Sequence, residues 1–204
     1  MALVSTPAPY LIAGHLAIDF VNSRATPGGV VIDWLRDTES MLGWMASLSI
    51  FPETALRELQ RSVAPVELEE VAKEMRELRE LVRGQLSQPA RLRTHARIWR
   101  ALNDVLARGS AFDVLCKDDR GPRLATQERL LQPDQLLVPI AKAIARLIVE
   151  EDLDRLHACE GPGCSLWFLD LTKSGRRRFC SASACGNRAK VAAFRSRQRD
   201  HSAG

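Results

Sequence analysis

Apolar residues recur along most of this chain every three or four positions, the spacing of one helix face. Asp33 to Leu48, DWLRDTESMLGWMASL, predicts a helix on that pattern. Pro52 stands at a first helical position and predicts a second helix to about Val63, and Pro65 opens a longer one to about Leu86. Within the latter, Leu68, Val71, Met75, Leu78 and Val82 form a stripe among Glu and Arg. Pro89 opens the next helix, with Leu92, His95, Trp99, Leu102 and Leu106 on one face. The period then changes. AFDVLCKDDRGPRLATQ reads as two extended runs about Asp118-Asp119-Arg120-Gly121, a β-hairpin. A last long helix is predicted from about Pro133 to Glu151. Lys142, Arg146 and Glu150 place one polar strip on it, so it is an amphipathic core helix and not a membrane span.

The pattern predicts a mainly α fold with a small β element (α+β). It divides into a helical domain over residues 1–154 and a compact module over 155–204. With 204 residues and 46% hydrophobic side chains, the chain can bury a sizeable core. The start, MALVSTPAPYLIAG, has no basic region, and Pro7 and Pro9 interrupt its apolar run, so no secretory leader is expected and the protein is expected in the cytoplasm.

Charge sharpens the division. The net charge is +4, but residues 155–204 hold ten Lys/Arg against three Asp/Glu, and the rest of the chain is slightly acidic. From Lys173 to Arg199 there are nine basic residues and no acidic one.

The same segment holds four of the five cysteines in two matched pairs, Cys159-Glu-Gly-Pro-Gly-Cys164 and Cys180-Ser-Ala-Ser-Ala-Cys185. Two disulfides would suit a small secreted scaffold, but here Cys116 would be left over, and a core of this size needs no such staples. In a reducing compartment one structural Zn²⁺ explains the spacing better, because it takes four soft ligands in a tetrahedron. Between the pairs, LWFLD (166–170) and RRRFC (176–180) flank the turn Thr172-Lys173-Ser174-Gly175 and read as a hairpin, and GNRAKVAAFRSRQR after Cys185 reads as a helix. Knuckle, hairpin and a helix carrying the last ligand make a treble-clef arrangement. Cys116 is expected to be a small buried residue of the earlier hairpin.

Four thiolates on one Zn²⁺ leave a formal charge of −2, which accounts for about two neighbouring cations and not for nine. The surplus points to an anionic partner. On a helix, Arg188, Arg195 and Arg199 form one basic stripe and Lys190 and Arg197 another. Val191 and Phe194 lie between them and are expected to pack on Trp167 or Phe179. Small residues at Ala189, Ala193 and Ser196 would allow close approach. With Arg176, Arg177 and Arg178 on the hairpin, these cations are candidate DNA contacts. A partner protein is the alternative, and RNA a third. One finger makes a small DNA contact, so a homodimer or a second binding element is expected.

Two polar residues inside LAIDFVN, Asp19 and Asn22, are candidates for a ligand pocket, or else satisfy nearby backbone groups. No nucleophile elbow, phosphate-binding loop or HExxH helix is present, and a closed Cys₄ site leaves no position for substrate, so no enzyme is expected.

CEGPGCSLWFLDLTKSGRRRFCSASACGNRAKVAAFRSR closely resembles the CGNR-type zinc finger, and GHLAIDFVNS (14–23) resembles the opening signature of the ABATE domain that precedes that finger in a bacterial family. Here His15 stands where a second glycine is common. The resemblance implies a two-domain stress-induced transcription regulator. In it, Cys159, Cys164, Cys180 and Cys185 hold zinc, the finger binds DNA and the ABATE domain holds an unidentified ligand.

Overall fold

The computed structural model describes residues 7–202, without the side chains of residues 28, 128, 193, 196, 197 and 199–202. The first six residues of the stretch read above for a leader lie outside the described residues. The helices are α1 Leu16–Val21, α2 Thr38–Ser47, α3 Glu53–Ser62, α4 Pro65–Arg83, α5 Ala96–Leu106, α6 Val138–Glu150 and α7 Asn187–Ser202. Three antiparallel two-stranded ribbons interrupt them: β1 Arg24–Ala25 with β2 Ile32–Asp33, β3 Ala111–Asp118 with β4 Gly121–Glu128, and β5 Leu156–Ala158 with β6 Trp167–Leu169. The fold is α+β, as the periodicity predicts. Among the described residues, no helix is long and apolar enough to cross a membrane.

Helix α4 is the central strut. Pro65 occupies its first turn, where a missing N–H goes unnoticed, and Leu68, Val71, Met75, Leu78 and Val82 are all buried as the stripe requires. Helices α1, α2 and α5 pack against α4, and α6 packs against α1 and α5. The buried residues form one continuous cluster from Ala13 to Cys185, so the cysteine region shares the core of the helical part.

Arg79 lies on the same buried stripe and is only 2% exposed. Its guanidinium donates to both carboxylate oxygens of Asp33, at 2.7 and 2.8 Å, and to Ser23 Oγ at 3.1 Å. Burial pushes the Asp33 carboxyl up, but the Arg79 hydrogen bonds and the Leu35 N–H outweigh it and hold the group below the ordinary carboxylate value.

Several expectations need correction. Helix α2 begins at Thr38 and not at Asp33: the Asp37 carboxylate caps it by accepting from Ser40 N–H at 2.7 Å, while Asp33 sits in β2 opposite Arg24. After Pro89 comes a short 3₁₀ turn, Pro89–Arg93, and His95 then caps α5 by accepting from Ile98 N–H through Nδ1. The buried face of α5 is therefore Ile98, Leu102 and Val105, and Trp99 is 49% exposed. The β3–β4 hairpin forms with the expected turn, Asp118 opposite Gly121, but Cys116 is half-buried, with its sulfur 3.6 Å from Arg123 O.

Removing Arg79 empties a buried position and leaves the half-buried Asp33 carboxylate without its cation. Arg79→Ala is expected to lose about 3–5 kcal/mol in urea unfolding, and Arg79→Met clearly less, since it removes the charge and keeps the bulk. Because the Asp33 pKa is depressed, the pair contributes fully above about pH 4 and its contribution is lost as pH falls below that. The stability gap between wild type and Asp33→Asn should narrow in that range.

Candidate metal centre and its basic helix

The first knuckle, Cys159 to Cys164, turns tightly on glycine. A Cβ on Gly161 would lie 2.8 Å from Cys185 Sγ, and Gly163 has a positive φ of 68°. The second pair closes from the other side, with Cys180 at the end of the basic run and Cys185 in a helical turn, Ala182–Gly186, that leads directly into α7. Ser181 caps that turn by accepting from Ala184 N–H.

The four sulfurs all lie within 4.8 Å of one another, and none is in a disulfide. Cys164 and Cys180 Sγ are 3.9 Å apart and Cys180 and Cys185 Sγ are 3.6 Å apart. A Zn–S bond of about 2.3 Å puts the corners of a tetrahedron about 3.8 Å apart, so the spacing is that of a zinc cage. Cys159 Sγ also accepts from Gly161 N–H at 3.4 Å and Cys180 N–H at 3.2 Å, and Cys185 Sγ accepts from Arg188 Nη2 at 3.0 Å. These donors suit thiolates. A hydrogen bond from Cys180 pulls the Cys164 thiol down to about 5, and that pairing together with burial pushes Cys180 up. Sulfurs this crowded cannot all ionise without a cation among them. The set is a single closed zinc site. His157, two residues before Cys159, stays outside it and faces the Phe168 ring.

The segment between the pairs differs from the expected hairpin. Strand β6 pairs with β5, with His157 opposite Phe168, and residues 176–180 form no strand. Their backbone is held against the first knuckle, with Glu160 N–H donating to Arg178 O at 3.0 Å. The turn at 172–175 does form, and Asp170 builds it. Its buried carboxylate accepts from Thr172 N–H and Oγ1 and from Arg177 N–H, between 2.6 and 2.9 Å, and the Thr172 hydroxyl leads in depressing its pKa to about 2.

The N-terminal signature is built into the finger. Asn22 is buried, with Oδ1 accepting from Trp167 N–H at 2.9 Å and Nδ2 donating to Trp167 O at 2.8 Å. Leu169 N–H donates to Ala13 O, and Thr26 N–H to Ser165 Oγ. Gly14 has φ +82°, and a Cβ there would meet Leu171 Cδ1 at 3.2 Å and Leu169 O at 3.4 Å. His15, at the common position of a second glycine, caps α1 through Nδ1. Asp19 accepts from Ala13 N–H at 3.0 Å, and burial raises its pKa to about 6 against the pull of the Ala13 and Ile12 amides. Both candidate pocket residues are thus committed to backbone groups. Sequence reasoning did not single out this packing role for Asn22 against a β6 edge 145 residues away. An amide inside an apolar run was the available signal.

The cations divide. Arg177 is turned inward: it lies over the Phe168 ring with Cζ 4.4 Å from the centroid, and donates to Phe179 O, Cys180 O and Ile12 O. Arg178 pairs with Glu160, Nε to Oε2 at 2.7 Å, and Arg188 serves Cys185. Arg176, Lys190 and Arg195 are exposed. The side chains of Arg197 and Arg199 lie outside the described residues, though both positions are in α7. Val191 and Phe194, expected to pack on the aromatics of the module, are 48% and 55% exposed.

Fold and site together define a zinc-finger protein whose finger is fused to a helical domain. The CGNR zinc finger model matches residues 155–198, and the ABATE model, described as "Putative stress-induced transcription regulator", matches residues 14–151. The chain belongs to the ABATE family, with a CGNR zinc finger at its C-terminal end. No curated protein matches it.

One zinc per chain is the expected stoichiometry by metal analysis. Arg188→Ala should weaken zinc about 10- to 100-fold in chelator competition, because it removes a partner of a ligand sulfur, whereas Lys190→Ala should not. Gly161→Ala should weaken zinc as well, through the clash with Cys185 Sγ.

Proposed function

We propose that the protein is a zinc-dependent DNA-binding transcription regulator of the cytoplasm, with an N-terminal domain that takes a small ligand. The observation that carries this reading is the start of α7. Zinc clamps Cys185 immediately before a 16-residue helix in a segment, residues 173–199, that has nine cations and no carboxylate. A helix fixed at one end by a metal and bearing exposed Lys190 and Arg195, with Arg176 on the neighbouring loop, is a rigid polycation that suits phosphate contact and groove entry. We read the module as a treble clef on its knuckle and its ligand-bearing helix. Because Arg177 and Arg188 have internal duties and Arg178 is paired with Glu160, the contact set reduces to Arg176, Lys190 and Arg195, together with Arg197 and Arg199. A contact of that size fits a homodimer on DNA.

A second reading has an observation of its own. Phe194 and Val191 are exposed on α7 between the cations, which would suit an acidic protein partner with an apolar ridge.

The test is duplex binding by zinc-loaded protein across salt. The affinity should fall steeply, with a log–log slope of about 0.9 per phosphate contacted, and Arg195→Glu and Lys190→Glu should each lower the affinity and reduce that slope by about one. A flat salt response, or charge reversals that leave DNA binding untouched while abolishing a protein partner, would favour the second reading.

A further inference from the structure

A groove of about 570 Å³ lies where the N-terminal segment meets the start of α7. Its apolar wall combines Tyr10, Ile12 and Leu166 with Val191, and Arg188 and Arg195 stand on its α7 side. Arg188, Val191 and Arg195 fall at i, i+3 and i+7, so one face of α7 looks into it. Tyr10 is held there by an edge-on contact with Trp34, ring centroids 5.6 Å apart. No acidic side chain lines the groove among the described residues. Its volume suits a small molecule, and its chemistry is an apolar wall with a cation at the rim.

The two arginines are not equivalent. At the zinc end the cage has a formal charge of −2, and Arg188 is already engaged with Cys185 Sγ at 3.0 Å. An anionic group is disfavoured there and favoured at Arg195, further out along α7. We infer that the groove receives a small amphipathic anion, its apolar body against Ile12, Leu166 and Val191 and its acid group on Arg195. The second half of the inference rests on the DNA-binding reading. Because Arg195 is also a proposed phosphate contact, the ligand and DNA compete for it, and occupancy of the groove releases DNA. Neither Asp19 nor Asn22 lines the groove, so the ligand site lies at the junction of the two parts and not at those residues.

The test uses the full zinc-loaded chain with 1-anilinonaphthalene-8-sulfonate, an aromatic sulfonate whose fluorescence rises in apolar sites. One saturable site is expected, displaced by octanoate and not by octylammonium. Val191→Asp should weaken the probe about tenfold by placing a like charge on the apolar wall, and Arg195→Gln about three- to tenfold. Val191 is exposed, so the variant keeps its fold, which one bound zinc per chain verifies. Trp99→Asp, in the smaller apolar groove of about 200 Å³ between α5 and α6, should leave binding unchanged. Equal binding by wild type and Val191→Asp, loss in Trp99→Asp, or equal displacement by octylammonium overturns the inference. On the DNA arm, saturating octanoate should raise the apparent Kd for duplex, and independence of the two overturns the competition. Absence of DNA binding altogether refutes the regulator reading while the fluorescence arm still decides the groove.

Discussion

Four sulfur atoms within 4.8 Å of one another are the constraint on which the C-terminal quarter depends. As thiolates they repel one another, so a cation among them is what lets all four carry charge at this spacing. Once the ion is in place, the rest of the module follows from it. The knuckle needs glycine at 161 because Cys185 occupies the space where a Cβ would go, the amides of Gly161 and Cys180 turn toward Cys159 Sγ, and α7 must start where Cys185 ends. The direction of the basic helix is therefore set at a metal–sulfur bond and owes little to apolar packing, which is why Val191 and Phe194 can remain exposed.

The finger is joined to the helical domain by directed bonds as well as by a shared core. Asn22 satisfies both backbone groups of Trp167, so β6 has β5 on one edge and a side chain of the N-terminal signature near the other. Arg177 completes the joint from the finger side, with its guanidinium on Ile12 O and its face on Phe168. A cation that looks like a DNA contact in a one-dimensional charge count is thus an internal fastener.

What could be read from the sequence was what rests on local spacing. The α4 stripe, the β3–β4 turn and the two cysteine pairs each follow from residues a few positions apart, and they stand where the pattern puts them. The failures share a physical cause, a partner distant in sequence. RRRFC has the composition of a strand, but β6 takes β5 as its partner and the arginine run is held by Glu160 and Asp170 instead. His95 falls on the apolar period, yet its ring caps α5 because the preceding 3₁₀ turn ends at Arg93 and leaves the Ile98 N–H to be satisfied. The Asp37 cap, by contrast, was open to reading: Asp just before a segment with Glu39 in its first turn and Met41, Leu42, Trp44 and Met45 at helical spacing is a helix start.

Rigidity connects the two ends of the molecule through a very short piece of chain. Arg79, buried in the helical core, holds Ser23 and Asp33, and Trp34 N–H donates to Ser23 O. Asn22, one residue earlier, holds Trp167, and Thr26, three residues later, holds Ser165 in the loop after Cys164. Swinging the finger away from the core would break the Asn22, Thr26, Ala13 and Arg177 bonds together and expose shared apolar surface, since the buried cluster is continuous from Ala13 to Cys185. A ligand of ordinary affinity supplies a few kcal/mol of differential binding, too little to offset that loss. The regulation we propose therefore works without moving the finger, through an occupant that meets α7 where its cations already stand.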